Sequence, residues 1–532
     1  MALYLGFDSS TQGLKAVIID AAQGKIVCAN AVSFGQDLPS FLCPDGVLEN
    51  PDPLVKHADP LLWLAALDLV LQRLKDAGAP LSQVAAIGGA GQQHGSVYLN
   101  AQFPKIVVSL SPALDLATQL APALSRRTSP IWMDSSTGPE CAELTRALGS
   151  RLQVSTGSPA IERFTGPQIR KFAKTEPEGY RNTHRIHLVS SFLCSVLIGG
   201  DAPVDTGDGG GMNLLNLNTM QWDEESAEAT APALLAKLPR LGAAPSVTGG
   251  LSPYFAKYGL RAGIPVATWT GDNPASLVGS GASRREMAVV SLGTSDTFFA
   301  AINPYRVDPA GFGHVFGLPS GGFMCLTCFK NGSLARDRVR AEAGVDWNFF
   351  GAGAFEQTPV GNDRRWALPW FEPEITPLVK NAGLRANFDF AAATPASRIR
   401  AVVEAQAMTL RIHSLWIGDF KTLRVTGGAS QSIGILQTLA DVFNATVETL
   451  STADSAALGA AMIAAHTVGA ISYKTLAAAF CPQTRTLQPR AEAAQVYADC
   501  LPAFGEFKAA AQIQHPSNLL EDTKLPKSLK TA

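Results

Sequence analysis

The chain opens on an unbroken apolar run, Leu3-Tyr4-Leu5-Gly6-Phe7. Small and polar residues follow from Asp8 to Gly13, then a second apolar run from Leu14 to Ile19. Two strand-length runs separated by a hydroxyl- and glycine-rich stretch predict a β-hairpin. The pattern recurs past the middle of the chain. Met287 to Leu292 is a strand-like run, Gly293-Thr294-Ser295-Asp296-Thr297 a turn, and Phe298-Phe299-Ala300 the returning strand. Between the two hairpins, Leu62, Ala65, Ala66, Leu69 and Leu74 have helical spacing, which predicts a helix over Leu61 to Ala77 stopped by Gly78. Val84 to Ile87 reads as a short strand entering a glycine-rich loop, Gly88 to Gly95, and an amphipathic helix is predicted over Pro139 to Leu148. His184 and His187 are read as ordinary helix residues. The β-type run Pro265 to Trp269 ends near Gly271, with Pro274 at the first position of a helix, Asn273 as its N-cap and Asp272 just outside. Later, Leu423 to Thr426 predicts a strand, Ile435 to Phe443 a helix, and Asp454 the start of an alanine-rich helix. Gln36 to Pro60 lacks any period and reads as a surface excursion. Residues 506–532 read as a polar, poorly ordered tail.

Length changes the picture first: 532 residues exceed one ordinary core, so two or three domains are expected. The duplicated strand-turn-strand unit favours two similar α/β domains facing each other. A net charge of −2 with no Lys/Arg block argues against a nucleic-acid or membrane-surface role. Eight cysteines in a chain this long are no disulfide framework. Cys325 and Cys328 stand alone as a CxxC pair without a second pair or a suitably spaced His, so they read as buried thiols on opposite sides of a strand rather than a zinc site. A strand at the very start and apolar runs too short to span a bilayer make a cytoplasmic protein without signal peptide the expectation.

Several stretches carry candidate chemistry. A hydroxyl-rich hairpin turn offers N–H and O–H donors to an anion. Asp8, before the first turn, could hold a hydrated Mg²⁺, and Lys15 could face phosphate. The glycines around Gln92-Gln93-His94 suggest a loop that exists for recognition of a polyhydroxylated ligand rather than for packing. Arg163, beside Glu162 and Phe164, is a surface cation, a partner of Glu162, or a group that reaches the sugar. Asp272, at the positive end of a helix, is kept ionised and directed, as a general base requires. Gly427 and Gly428 end a strand where a nucleotide can approach the backbone. Asp205 to Gly211 is an acidic glycine loop without the lysine of a Walker A loop, and no strand-linked GxGxxG occurs.

Taken in order, Asp8-Ser9-Ser10-Thr11, Gly91-Gln92-Gln93-His94-Gly95, Trp132-Met133-Asp134, Thr270-Gly271-Asp272-Asn273-Pro274, Gly293-Thr294-Ser295, Gly427-Gly428-Ala429-Ser430 and Ala457-Leu458-Gly459-Ala460-Ala461 resemble the FGGY family of carbohydrate kinases, from Leu3 to about Ala470. Gln92-Gln93-His94-Gly95, Glu162 to Gly166 and Cys328 to Ser333 are similar to its longer, eukaryotic-type members that act on D-xylulose. The resemblance implies two actin-like (ribonuclease H-like) ATPase domains with a cleft between them. Residues 1–282 would bind sugar and carry the catalytic Asp, and residues 283–505 would bind nucleotide. It implies phosphorylation of the D-xylulose 5-hydroxyl by Mg-ATP in a monomer or homodimer. Asp272 matches the catalytic base, and His94, Arg163, Asp272 and Asn273 match sugar contacts. Asp8 matches the aspartate near the metal. Ser10, Thr11, Gly293 and Thr294 fall in the phosphate turns, while Trp347, Gly427, Gly428 and Ser432 fall on the nucleotide side. Related enzymes often carry Asn or a basic residue after the Gly-Gly-Ala-Ser run, where this chain has Gln431 and Ser432. The alternatives are a kinase for ribulose or an alditol, an actin-like ATPase that uses nucleotide only as a switch, and a sugar sensor without catalysis.

Overall fold

The computed structural model describes residues 2–242, 245–450 and 454–513. The packing forms two compact units. The first comprises Met1–Met287, Phe299–Leu326 and Leu450–Gln483, and the second Ala288–Phe298, Thr327–Thr449 and the chain from Thr484 onward. Two segments beyond residue 283 thus pack with the first unit. The alanine-rich helix, Ser455–Gly469, returns to the first unit because its small side chains fit that unit's sheet.

The first unit is built on a seven-stranded sheet. Its order is Val247–Gly250, Pro265–Ala267, Val84–Gly91, Leu3–Ser9, Gly13–Asp20, Lys25–Ser33, with Thr270–Gly271 pairing separately to Val84–Gly91. Leu3–Ser9 and Gly13–Asp20 form the expected antiparallel hairpin, and nearly every residue of both is buried. Leu3–Ser9, Val84–Gly91 and Thr270–Gly271 are parallel. The register aligns Ser9 with Gly91 and Gly91 with Gly271, so three strands end together. The carboxyl edge of parallel strands is where open α/β sheets bind ligands.

Val84–Gly91 extends four residues past the predicted Ile87, because the glycines are packing positions and not a loop. A Cβ on Gly88 would lie 2.1 Å from the Ala460 carbonyl oxygen, and one on Gly89 would lie 1.9 Å from the Trp269 ring. These glycines therefore have a packing role, contrary to the expectation from the sequence. Gly6 similarly lets the Ser455–Gly469 helix sit directly on the sheet. The helix Pro60–Asp76 covers the sheet with Leu62, Leu67 and Leu74, is capped by the Asp59 side chain, and ends before Gly78 at φ +70°. His187 lies on the strand Arg185–Leu188 and not on a helix. It is buried between Ser191 Oγ, 3.0 Å away, and Asp201 Oδ1, 2.9 Å away. His184 lies in the short link before that strand.

In the second unit the strands Asp296–Ile302, Met287–Leu292, Thr422–Thr426, Thr446–Leu450 and Gln483–Leu487 are neighbours in that order, the chain leaving this unit at Phe299. Helices Ser333–Glu342, Pro395–Ser414, Ile433–Phe443 and Ala491–Ile513 also belong to this unit. The last of these carries helix through 506–513, residues expected to be tail, and 514–532 lie outside the described residues. Cys325 is buried as expected, while Cys328 is only partly so. Among the described residues no helix is long and apolar enough to cross a membrane.

Candidate active site

Each of the three aligned strand ends delivers polar residues to the same edge: Ser10 and Thr11 after Ser9, Gln92 to His94 after Gly91, and Asp272 with Asn273 after Gly271. The helix begins at Asp272 itself, with Gly271 as N-cap. Asn273 is accordingly not the cap, and Pro274 is the third helical residue. Asn273 instead orients the aspartate. Its backbone N–H donates to Asp272 Oδ1 at 2.8 Å, and its Nδ2 donates to Asp272 Oδ1 and to Gln93 Oε1, both at 2.9 Å. Burial pushes the Asp272 carboxyl up to about 6, against the lowering effect of those donors. Desolvation therefore outweighs the helix end, yet the carboxyl remains ionised at neutral pH.

The acidic glycine stretch supports the same edge from below. Asp205 caps a short helix, Thr206–Gly209, by accepting from Gly207 N–H and Asp208 N–H at 2.9 Å each. Gln93 Nε2 donates to the Gly207 carbonyl at 3.2 Å, and His94 Nδ1 donates to the Gly211 carbonyl at 2.8 Å. A carbonyl only accepts, so the His94 proton sits on Nδ1 and Nε2 is left as an acceptor. Burial and the Arg163 charge lower the imidazole to about 3, which keeps it neutral. His94 adopts φ +72°, a conformation that side chains other than glycine rarely take and that is concentrated at functional sites. Its ring stacks on Phe164 at 4.3 Å between centroids. The nearest Arg163 partner is His314, at 3.0 Å, and not Glu162.

Ser10 N–H and Oγ both donate to Gly13 O, at 2.9 and 3.0 Å, which shapes the first hairpin turn. Trp132 Nε1 donates to Thr11 Oγ1 at 2.7 Å. The buried Asp134 anchors the Trp132 loop by accepting from Lys56 N–H at 2.9 Å and Gln168 Nε2 at 2.7 Å. Lys15, paired across the hairpin with Asp8, reaches Asp454 Oδ1 at 2.5 Å.

Asp8 is buried and its Oδ1 has no hydrogen-bond partner. Burial, with Asp272 as the next contributor, pushes its carboxyl up to about 7. A desolvated carboxylate facing a second carboxylate is a site that a cation would relieve. Among the described residues no group of three or more His, Cys, Asp or Glu side chains could hold a metal ion. That donor set suits Mg²⁺, which keeps several waters and takes one or two carboxylates together with phosphate oxygens.

The second unit contains a cavity of about 560 Å³, lined among others by Gly293, Trp347, Gly351, Gly428, Gln431 and Ser432. Trp347 is 52% exposed and lies with its ring under Arg340. Ser432 is the N-cap of Ile433–Phe443, accepting from Ile435 N–H at 3.3 Å and donating to the Gly351 carbonyl at 3.1 Å. Thr294, exposed in the hairpin turn, and Gly427 adjoin this lining rather than forming it. Gly427 has φ +88° and a Cβ there would lie 2.4 Å from the Leu292 carbonyl oxygen, so only glycine fits. The turn at Gly293 is braced from behind. Ser333 N–H donates to Gly293 O at 2.8 Å, and the buried Arg336 forks onto Asp296 at 2.7 and 2.9 Å.

Thus Asp8, Ser10, Thr11, His94, Arg163, Asp272 and Asn273 belong to the first unit, and Gly293, Thr294, Trp347, Gly427, Gly428 and Ser432 to the second. Gln93, Phe164, His314, Asp296 and Arg336 went unassigned. Gln93 stood within a motif already noticed, whereas His314 and Arg336 carry no local signal.

Two family models match the chain: the FGGY family of carbohydrate kinases, N-terminal domain, over residues 126–279, and its C-terminal domain over 288–468. Among similar proteins, the xylulose kinase of Rattus norvegicus is 40% identical over 519 residues, covering 95% of this chain and 96% of the relative. Xylulose kinase 2 of Arabidopsis thaliana is 38% identical, covering 87% of each. Among solved structures, a xyloylose kinase from Brucella ovis superposes with a TM-score of 0.81 at 23% identity, over 96% of this chain and 99% of that one. A ligand-bound xylulose kinase from Lactobacillus acidophilus does so at 0.81 and 18%, over 97% and 99%. These structural likenesses establish the two-domain fold.

Proposed function

Because the chain belongs to the FGGY family of carbohydrate kinases, we propose that it phosphorylates D-xylulose at the 5-hydroxyl with ATP, Asp272 serving as the base. The observation that carries this reading is the common edge of three parallel strands, which gathers Asp272, the acceptor imidazole of His94 and the unpartnered carboxylate oxygen of Asp8. The relatives, xylulose kinases at 36–40% identity, support the sugar.

Phosphoryl transfer asks for positioning and charge neutralisation more than for strong nucleophile activation. Asp272, titrating near 6, is ionised at neutral pH yet more basic than a free carboxylate, and takes the sugar proton as the bond to phosphorus forms. Asn273 holds it in direction. His94 Nε2 accepts a sugar hydroxyl hydrogen, and Arg163 donates to a sugar oxygen. Thr11, whose Oγ1 accepts from Trp132 and so keeps its own hydrogen, presents that O–H to phosphate, while Ser10 shapes the turn by donating to Gly13 O. Asp8 would hold Mg²⁺, which supplies positive charge to the phosphate oxygens. On the nucleotide side, the cavity beside Trp347, Gly428 and Ser432 takes the base and ribose, and the turn at Gly293 and Thr294 meets the phosphates.

The reading is tested with coupled ADP detection over D-xylulose, D-ribulose, other ketoses and alditols. D-xylulose is expected to give the highest kcat/KM. A preference for ribulose or an alditol reassigns the substrate, and sugar-independent turnover removes the kinase reading. On the nucleotide side, Arg336→Met strips the brace from the Gly293 turn. The expected result is an ATP KM about tenfold higher, roughly 1.4 kcal/mol, with the D-xylulose KM little changed. The same variant should also melt earlier, since leaving Asp296 buried and unpaired costs about 3–5 kcal/mol.

A further inference from the structure

His314 is absent from every motif above, yet it is the group that Arg163 touches. It begins the strand His314–Gly317, 5% exposed. Arg163 Nη2 approaches His314 Nε2 at 3.0 Å. A guanidinium N–H only donates, so Nε2 must carry a lone pair and the imidazole proton sits on Nδ1. Nδ1 lies 3.2 Å from Ser158 Oγ, which accepts that proton. The Phe164 ring touches both imidazoles, stacked on His94 at 4.3 Å between centroids and tilted against His314 at 5.3 Å. One aromatic cluster therefore holds His94, whose Nε2 acceptor is open, and a second histidine whose acceptor atom is taken by Arg163. Burial and the Arg163 charge hold His314 well below the usual imidazole range, consistent with a permanently neutral acceptor.

We propose that His314 is a positioning residue for sugar binding: its Nε2 fixes the Arg163 guanidinium so that the remaining N–H donors are presented to a sugar oxygen. An arginine side chain has many rotamers, and without an acceptor it would have to be ordered by the sugar itself, at a cost in affinity. The proposal rests on the sugar-kinase reading and adds a residue 151 positions from Arg163 in sequence.

The test compares His314→Gln, whose Oε1 replaces the Nε2 acceptor, with His314→Asn, which is too short to reach, and His314→Phe, which keeps the ring without the acceptor. His314→Phe and His314→Asn are expected to raise the D-xylulose KM about tenfold, with the ATP KM within about twofold, the loss of one ordered donor contact. His314→Gln should recover most of that loss. In an Arg163→Ala background His314→Phe should add nothing, because the two act as one unit. Equal sugar KM values for the Gln and Asn variants would overturn the proposal, as would an additive loss in the Arg163→Ala background. If the Phe variant fails to fold, the Gln and Asn pair still decides. A wild-type enzyme without D-xylulose-dependent ADP release would instead sink the parent reading, an outcome distinct from either.

Discussion

Asp272→Asn is expected to be inactive and more stable than the wild type. Loss of a general base lowers kcat by about 10²–10⁴-fold. The amide keeps the shape and still accepts from Asn273 N–H, so ATP binding should be unaffected. The stability gain follows from sign. The folded-state carboxyl titrates near 6, above the unfolded 3.8, so the native state binds more protons than the unfolded state between those values. Stability contributed by this group therefore falls as pH rises through that window and stays reduced above it. Removing the charge relieves a penalty on the order of 2–3 kcal/mol at pH 7–8. Urea melts of both proteins at pH 7.5 read it directly, and the difference should shrink as pH is lowered toward 4. Wild-type kcat/KM should decline about tenfold per pH unit below 6 as the base is protonated. Near-normal turnover in Asp272→Asn sinks the base assignment. An inactive but less stable variant would leave the catalytic role standing and reject the desolvation argument.

The second large effect is expected at Gly459, which has no side chain to take part in the reaction. Gly459 faces the helix Asp272–Gly279, and a Cβ there would lie 1.9 Å from the Ala275 carbonyl oxygen. Reciprocally, a Cβ on Gly279 would lie 1.8 Å from the Ser455 carbonyl oxygen. Both obstacles are backbone, which cannot rotate away as a side chain tip can. Gly459→Ala must push the two helices apart, with an expected loss of about 3 kcal/mol or more. Because the displaced helix begins at Asp272, kcat should fall as well, by about 10²-fold for a shift near 1 Å. Gly138→Ala is the control: a Cβ there meets nothing within 4 Å, so its stability should change by less than about 0.5 kcal/mol. A Gly459→Ala enzyme with wild-type melting and turnover would refute the close-packing account.

Much of the molecule was legible because it is locally encoded. The hairpins at Asp8 and Gly293, the helix Pro60–Asp76 and the strand before Gly427 each declare themselves through period and turn chemistry. Where local reading failed, distant residues had overridden it. The glycines from Gly88 to Gly91 look like a flexible loop, yet they are strand because Trp269 and Ala460 press against them. His187 had helical spacing to His184 but belongs to a strand, held by Asp201.

The sequence by itself determined the α/β class, the duplicated turns, the family and the identity of the polar residues at the strand ends. These follow from patterns among near neighbours and from motif order. The tertiary structure decided how those residues are tuned: the raised titration of Asp272 and Asp8, the tautomer of His94 set by Gly211, the seating of Arg163 on His314, and the return of the Ser455–Gly469 helix to the first unit. Desolvation, hydrogen-bond partnership and close packing depend on residues brought together from far apart in the chain, and no local pattern contains them.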